Sequence, residues 1–197
     1  MLADLGEIGV GKAGGLASTR SSGQPSISPT YFKRKVDRVA WAALDFGSTH
    51  QMPKVRKASA KAGLKFEDKV CKELQAAFGP RFARAVPISF QEEHSHSFSR
   101  PAFAIPDGLL LSGDGRSLLC IEIKLRHSSD AWFQLNRFYL PILRRVVGNS
   151  LRLFGAEICL HYDPAARVPV EKTIVSKLED AFKADPKMHC VLLWEKF

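Results

Sequence analysis

The sequence predicts an α/β domain in which a helix, three strands, a helix and a strand follow in order, with a further helix and strand behind them. Residues 58–78 carry apolar side chains at helical spacing and stop at Gly79-Pro80, a helix-ending pair. Two apolar runs, Ala102-Phe103-Ala104-Ile105 and Leu118-Leu119-Cys120-Ile121, flank Asp114-Gly115, a strong hairpin signal. Beyond residue 130, segments of helical and strand-like pattern alternate.

Residues 1–30 are rich in Gly and Ser, contain Pro25 and Pro29, and read as a flexible tail. Residues 31–57 form a basic arm that opens with Lys33, Arg34 and Lys35. Within it, Phe32, Val36, Val39 and Ala43 have helical spacing over 31–46. The folded domain is expected over 58–197. Its first helix has the apolar stripe Leu64, Cys71, Leu74, Phe78, with Glu67 standing where one apolar member is missing. A strand follows over 83–91, then hairpin strands over 102–112 and 117–126. Ser128-Ser129-Asp130 supplies an N-cap signal for a helix over 130–147. That helix carries Trp132, Leu135, Tyr139, Ile142 and Val146 on one stripe, and Pro141 predicts a kink in it. A strand over 151–162 comes next. Ile174, Leu178 and Phe182 suggest a helix over 170–184, and Val191 to Trp194 a last strand.

Charged residues sit in the hairpin where a buried strand should be apolar: Asp107 after Pro106, and Glu122 and Lys124 around Ile123. Such side chains are almost never fully buried unless paired. With Asp114-Gly115 at the centre of a two-residue loop, Asp107 and Glu122 are equidistant from the turn and face each other across the ladder. Lys124 lies two residues beyond Glu122, on the same face. Opposed carboxylates repel unless something neutralises them. A hard divalent cation with oxygen ligands, such as Mg²⁺, would do so. The alternative is a surface hairpin with a solvated Glu-Lys pair.

Pro106-Asp107, fourteen residues from Gly108 to Ile121, then Glu122-Ile123-Lys124 resembles the motif of the PD-(D/E)XK nuclease superfamily. The resemblance covers roughly residues 58–162. It implies the restriction-endonuclease-like αβββαβ core, a central mixed sheet flanked by helices, with the C-terminal helix and strand as an addition. It also implies Mg²⁺-dependent hydrolysis of DNA phosphodiesters, with Mn²⁺ able to substitute. Asp107, Glu122 and the backbone carbonyl of Ile123 would hold the metal, and Lys124 would orient water or stabilise developing charge. Glu67 looks like the superfamily's helix-borne acid; pairing with Lys65, Lys69 or a neighbouring strand is its structural alternative. Gln134 fits the polar residue that some of these families carry after the Glu-X-Lys strand, where they have Gln-X-X-X-Tyr. Here the aromatic at that spacing is Phe138, which departs from the subgroup, and an ordinary surface Gln is the alternative. Arg137 would help position the nucleotide, and Arg100 and Arg126 would contact phosphates.

Composition agrees with a polyanionic partner. The chain of 197 residues has a formal charge of +9, and its 45% hydrophobic content suffices for a substantial core. Residues 1–60 hold nine basic and four acidic residues, so the excess is densest there. Cys71, Cys120, Cys159 and Cys190 are scattered without a Cys-X-X-Cys pair, favouring reduced core thiols over zinc or disulfides. His94-Ser-His96 reads as a polar loop. No long apolar run or secretory pattern is seen, so a cytoplasmic protein without membrane contact or organic cofactor is expected. Cutting both strands of a duplex with one site per chain is simplest for a homodimer. Three rivals remain: a non-catalytic DNA-binding protein on the same scaffold, a nuclease effector of a mobile element or phage, and an interaction protein that recruits through its basic arm.

Overall fold

The computed structural model describes residues 36, 38–44, 58–93, 102–165 and 167–194. Lys33, Arg34, Lys35 and Arg100 lie outside the described residues, as do the tail over 1–30 and His94 and His96. Among the described residues, no helix is long and apolar enough to cross a membrane.

The described chain begins with strand β1 (Val39–Leu44), followed by helix α1 (Ala58–Phe78) and a 3-10 turn over Gly79–Arg81. Five strands follow: β2 (Phe82–Arg84), β3 (Ile88–Glu92), β4 (Ala102–Ala104), β5 (Gly108–Leu111) and β6 (Ser117–Arg126). A continuous helical run then comprises α2 (Ser129–Phe133), a π segment (Gln134–Tyr139) and α3 (Leu140–Val147). Strands β7 (Arg152–His161) and β8 (Lys172–Val175), a 3-10 turn over Leu178–Lys183 and strand β9 (His189–Leu193) complete it.

The main sheet is mixed and six-stranded, in the order β2-β5-β6-β7-β9-β8. The pairs β2–β5 and β5–β6 are antiparallel, and β6, β7, β9 and β8 run parallel. A second sheet has the order β1-β3-β4. Alternation along the strands gives the main sheet two apolar faces. Leu109, Leu111, Leu118, Cys120 and Leu153 belong to the cluster capped by Leu135, Phe138, Tyr139, Ile142 and Leu143 of the π segment and α3. Leu110, Leu119, Ile121, Phe154 and Ile158 belong to the cluster capped by Phe66, Val70, Cys71 and Leu74 of α1. The result is an α/β fold with a central mixed sheet flanked by helices.

The hairpin register matches the sequence expectation although its loop does not. Gly108 faces Ile121 and Leu109 faces Cys120. The Ser112 N–H donates to Ser117 O at 2.9 Å and Gly115 N–H to Ser112 O at 3.0 Å, so four residues, 113–116, form the loop. Only Gly115 has the positive φ, +68°. A four-residue loop centred on the same pair leaves every opposed pair unchanged, because one residue is taken from each strand.

The strands expected over 83–91 and 102–112 are each bent into two. Arg84 faces Gly108 in the main sheet, and Ile88 faces Ala104 in the small one, in the same continuing register. Between them Ala85 takes φ +49°, while Pro87 and Pro106 lack the N–H that a ladder requires. The Ala85 N–H still donates to Asp107 O at 3.2 Å, so the ribbon turns at Asp107 without separating.

Three other expectations are corrected. The helical spacing over 31–46 does not describe residues 39–44, which pair with β3. Tertiary pairing outweighs the spacing there, and Arg145 braces the strand by donating from Nε and Nη2 to Ala40 O at 3.1 and 2.9 Å. The helix over 170–184 is instead β8 and a 3-10 turn, since the β-branched run Thr173-Ile174-Val175 favours an extended edge strand. Ile174 is 53% exposed there, so the three-residue stripe was no buried face. On α1 the buried side is Phe66, Val70, Cys71 and Leu74, and Leu64 is exposed.

Pro141 does not break the second helical run. Leu140 N–H reaches back five residues to Leu135 O, the signature of a π turn. Because Pro141 has no N–H, the Arg137 carbonyl lacks its usual helical donor and accepts Val36 N–H at 2.9 Å. Buried Val36 is thereby tied to the helix and packed into the core.

Gly108 is required by the bend. A Cβ there would stand 2.5 Å from Phe82 Cε2, against a ring that is itself buried. Gly108→Ala is expected to cost about 1–3 kcal/mol through overpacking. Phe82→Leu in the same chain should recover part of that loss by vacating the contested space. Urea unfolding of the single and double variants checks this; an unchanged midpoint for Gly108→Ala would refute the close approach.

Candidate active site

At the bend, Asp107 projects from the start of β5 towards β6. Its Oδ2 accepts the Ile123 N–H at 2.7 Å, so the carboxylate holds the place of the next ladder partner. Glu122 is buried on β6, and Lys124 Nζ donates to Glu122 Oε1 at 2.6 Å. The three residues predicted to converge are therefore together. The Lys124 side chain is 22% exposed, so the cluster reaches the surface there. Glu122 Oε2 is buried without a hydrogen-bond partner.

Burial pushes the Asp107 carboxyl well above the usual carboxylate range, and the charges of Glu122 and Glu67 push it further. Lys124 and the Ile123 N–H oppose that shift. Burial also raises Glu122, against the pull of Lys124. Burial works against the Lys124 ammonium, but the Glu122 and Asp107 carboxylates outweigh it and its pKa is raised. Two carboxyls that hold protons too tightly, one with an unused oxygen, form an all-oxygen donor set suited to a hard cation.

Glu67 reaches this region from α1 and is tied by a salt bridge to Arg84 of β2, Nη2 to Oε1 at 3.4 Å. Its partner is thus an arginine on the neighbouring strand, not Lys65 or Lys69. Arg84 bonds more closely to Asp68 Oδ1, at 2.7 Å. Cys71, one turn further along α1, donates from Sγ to Asp107 O at 3.9 Å, and burial pushes its thiol up to about 12. Gln134 opens the π segment with its Oε1 buried and unpartnered, unlike an ordinary surface Gln. Phe138, the aromatic at the Gln-X-X-X-Tyr spacing, is buried and packs edge-on against Phe90. Tyr139 OH donates to Ile105 O at 3.1 Å, pinning the helix to the bend. Arg137 is exposed with its guanidinium over Trp132, 5.4 Å from the ring centroid, and Arg126 is exposed at the end of β6.

A second polar cluster went unread in the sequence. Glu157 on β7 stands in register with Glu122, on the same sheet face. Its Oε2 meets His127 Nδ1 at 2.8 Å and His189 Nε2 at 2.9 Å, and its Oε1 accepts Ser128 N–H at 3.2 Å. Lys172 Nζ lies 3.2 Å from His127 Nε2, and Tyr162 stacks on the His127 ring. The signal was available: Glu157 interrupts the apolar run Leu153-Phe154-Gly155-Ala156 and Ile158-Cys159-Leu160, just as Glu122 interrupts its own. All four cysteines are free and buried.

Compared with known proteins, the chain matches no family model and no curated protein. Among solved structures it is similar to a chain of the EndoMS-dsDNA2 complex, at 13% identity and a TM-score of 0.34. The match covers 75% of this chain and 50% of that one, so this chain spans half the length of the solved chain it matches.

The raised carboxyls set a pH dependence. The folded chain binds more protons than the unfolded one at pH values above the ordinary carboxylate range, so stability falls as pH rises through that window. A divalent cation relieves the repulsion only where the carboxyls are ionised. Thermal unfolding between about pH 5 and pH 8 should therefore show a Mg²⁺-dependent gain in Tm that grows with pH. Asp107→Asn should flatten it. A gain independent of pH, or retained in Asp107→Asn, would contradict the paired-carboxylate site.

Proposed function

We propose that this chain is a Mg²⁺-dependent deoxyribonuclease that hydrolyses phosphodiester bonds and cuts DNA internally. The observation that supports this most directly is the meeting of Asp107, Glu122 and Lys124 at the bend, with Glu122 Oε2 left without a partner. A structural hairpin gains nothing from two buried, mutually repelling carboxylates; a metal-binding pocket does.

Asp107, Glu122 and the Ile123 carbonyl would hold the ion. In extended backbone, N–H and C=O of one residue point to the same edge, so the Ile123 carbonyl faces the side from which Asp107 receives its N–H. When bound, Mg²⁺ or Mn²⁺ supplies Lewis-acid polarisation of the phosphoryl oxygen and a more acidic water. Lys124 stays charged, since the neighbouring carboxylates raise its pKa. Its role is then electrostatic, offsetting negative charge that builds on the phosphoryl oxygens, and not proton abstraction. Glu67, held by Arg84, adds negative charge beside Asp107 and would orient a water in the pocket. Gln134 Oε1 would accept from a substrate or solvent donor, meeting its open hydrogen bond.

The substrate is taken to be DNA, as the motif's resemblance implies; charge and exposure support a polyanion. The net charge of +9 favours a polyanion, and exposed Arg126 and Arg137 are available to backbone phosphates. Lys33, Arg34, Lys35 and Arg100, outside the described residues, add to the positive charge and are proposed as further DNA contacts.

Incubation of supercoiled plasmid with the protein in Mg²⁺ should give nicked and linear products, and EDTA should stop the reaction. Asp107→Ala and Lys124→Ala are each expected to lower the rate by roughly 10²-fold or more. Both variants should still shift DNA in a gel within a few-fold of the parent. Two single variants that cut as fast as the parent would remove the assignment, and binding without any metal-dependent cleavage would make the chain a binding protein instead.

A further inference from the structure

We propose that His127, Glu157 and His189 form a second metal site, separate from the Asp107 pocket, that takes a zinc-class divalent ion and ties β6, β7 and β9 together. The three side chains come from the end of β6, the middle of β7 and the start of β9, and all are fully buried. One ligand atom of each falls within 4.8 Å of the others. Two imidazole nitrogens and a carboxylate oxygen are a donor set for zinc, in contrast to the all-oxygen set at Asp107 and Glu122.

The distances suit an exchange of hydrogen bonds for coordination. Both imidazole nitrogens approach the same Glu157 oxygen, at 2.8 and 2.9 Å. A tetrahedral ion with bonds of about 2.0–2.1 Å spaces its ligands by roughly 3.3 Å, so each His–Glu157 contact would lengthen by about half an ångström. Three protein ligands leave one of the four positions for a solvent ligand.

Charge balance supports an ion. The Glu157 carboxylate meets two imidazoles and the Ser128 N–H. Lys172 Nζ lies beside the outer Nε2 of His127. Burying a carboxylate is costly, and a dication bound among these three side chains would offset that cost. Lys172 is half-buried on the edge strand and also lies over the Tyr162 ring, 5.5 Å from its centroid. It can withdraw from His127 Nε2 when that nitrogen carries the proton that Nδ1 coordination requires.

This site does not depend on the nuclease reading, and its test is made in the Asp107→Asn background as well as in the parent chain. Chelator-treated protein is titrated with Co²⁺ as a spectroscopic probe. Nitrogen-rich, four-coordinate Co²⁺ absorbs strongly in the visible, whereas a hydrated all-oxygen site is pale. A strong band saturating at about one equivalent and bleached by Zn²⁺ is expected in both proteins. Glu157→Gln, which keeps side-chain shape and loses the charge, should abolish it, as should His189→Gln. Absence of the band in the parent and Asp107→Asn chains overturns the proposal, whether or not the other variants fold. A band that persists in a folded Glu157→Gln chain overturns it too, because the ion then sits elsewhere.

Discussion

The register of the β5–β6 hairpin is the constraint on which the site depends. Asp107 lies one residue before the first ladder pair, Gly108 with Ile121, and from there its carboxylate can take the Ile123 N–H. A slip of one residue would send Glu122 and Lys124 to the α1 face and turn Leu119, Ile121 and Ile123 out of the cluster they fill there. Burial of Leu109, Leu111, Leu118 and Cys120 on one face and Leu110, Leu119 and Ile121 on the other makes that slip prohibitive. The apolar core thus holds repelling charges in place, and the repulsion is a local cost carried by packing elsewhere.

The bend supplies what the register alone cannot. A straight β5 would continue pairing through Asp107 and leave its side chain to compete with a backbone ladder. Pro106 ends that ladder, Ala85 accepts a left-handed conformation, and Gly108 lets the Phe82 ring close over the backbone. Tyr139 then fastens the π segment to Ile105, so the helix that carries Gln134 is referenced to the same bend. The π turn has a consequence at the other end as well, because the Arg137 carbonyl left open by Pro141 anchors Val36.

The helix α1, the β5–β6 register, the long strand β7 and the last strand were legible because each rests on a strong local pattern bounded by a turn signal. The charged residues were legible for the opposite reason: Asp107, Glu122 and Lys124 break that pattern in ways that folding does not require. The same reasoning would have found Glu157, whose apolar neighbours are as plain in the sequence, but its partners His127 and His189 lie thirty-odd residues away on either side and share no local motif with it. What misled was short-range spacing at the margins. Ile174, Leu178 and Phe182 fit a helix by interval alone, although three consecutive β-branched or hydroxylated residues, Thr173-Ile174-Val175, favour the extended edge they adopt. Residues 39–44 likewise follow their partner strand and not their spacing.

Glu122 and Glu157 occupy equivalent register positions on adjacent parallel strands, yet their surroundings assign them different work. Both oxygens of Glu157 have partners, and its two imidazoles have no exposure, so no polymer can reach it. Glu122 has one open oxygen, and the lysine beside it leads to the surface. Hydrolysis of a polymer demands access; cross-linking of strands demands burial. On the two proposals, a buried carboxylate pair beside a part-exposed lysine suits an oxygen-bound ion, and a closed His-Glu-His cluster suits an ion that stays. Adjacent strands of one sheet would then hold a reactive and a structural carboxylate, set apart by their neighbours: Lys124 and Asp107 beside Glu122, two buried imidazoles beside Glu157.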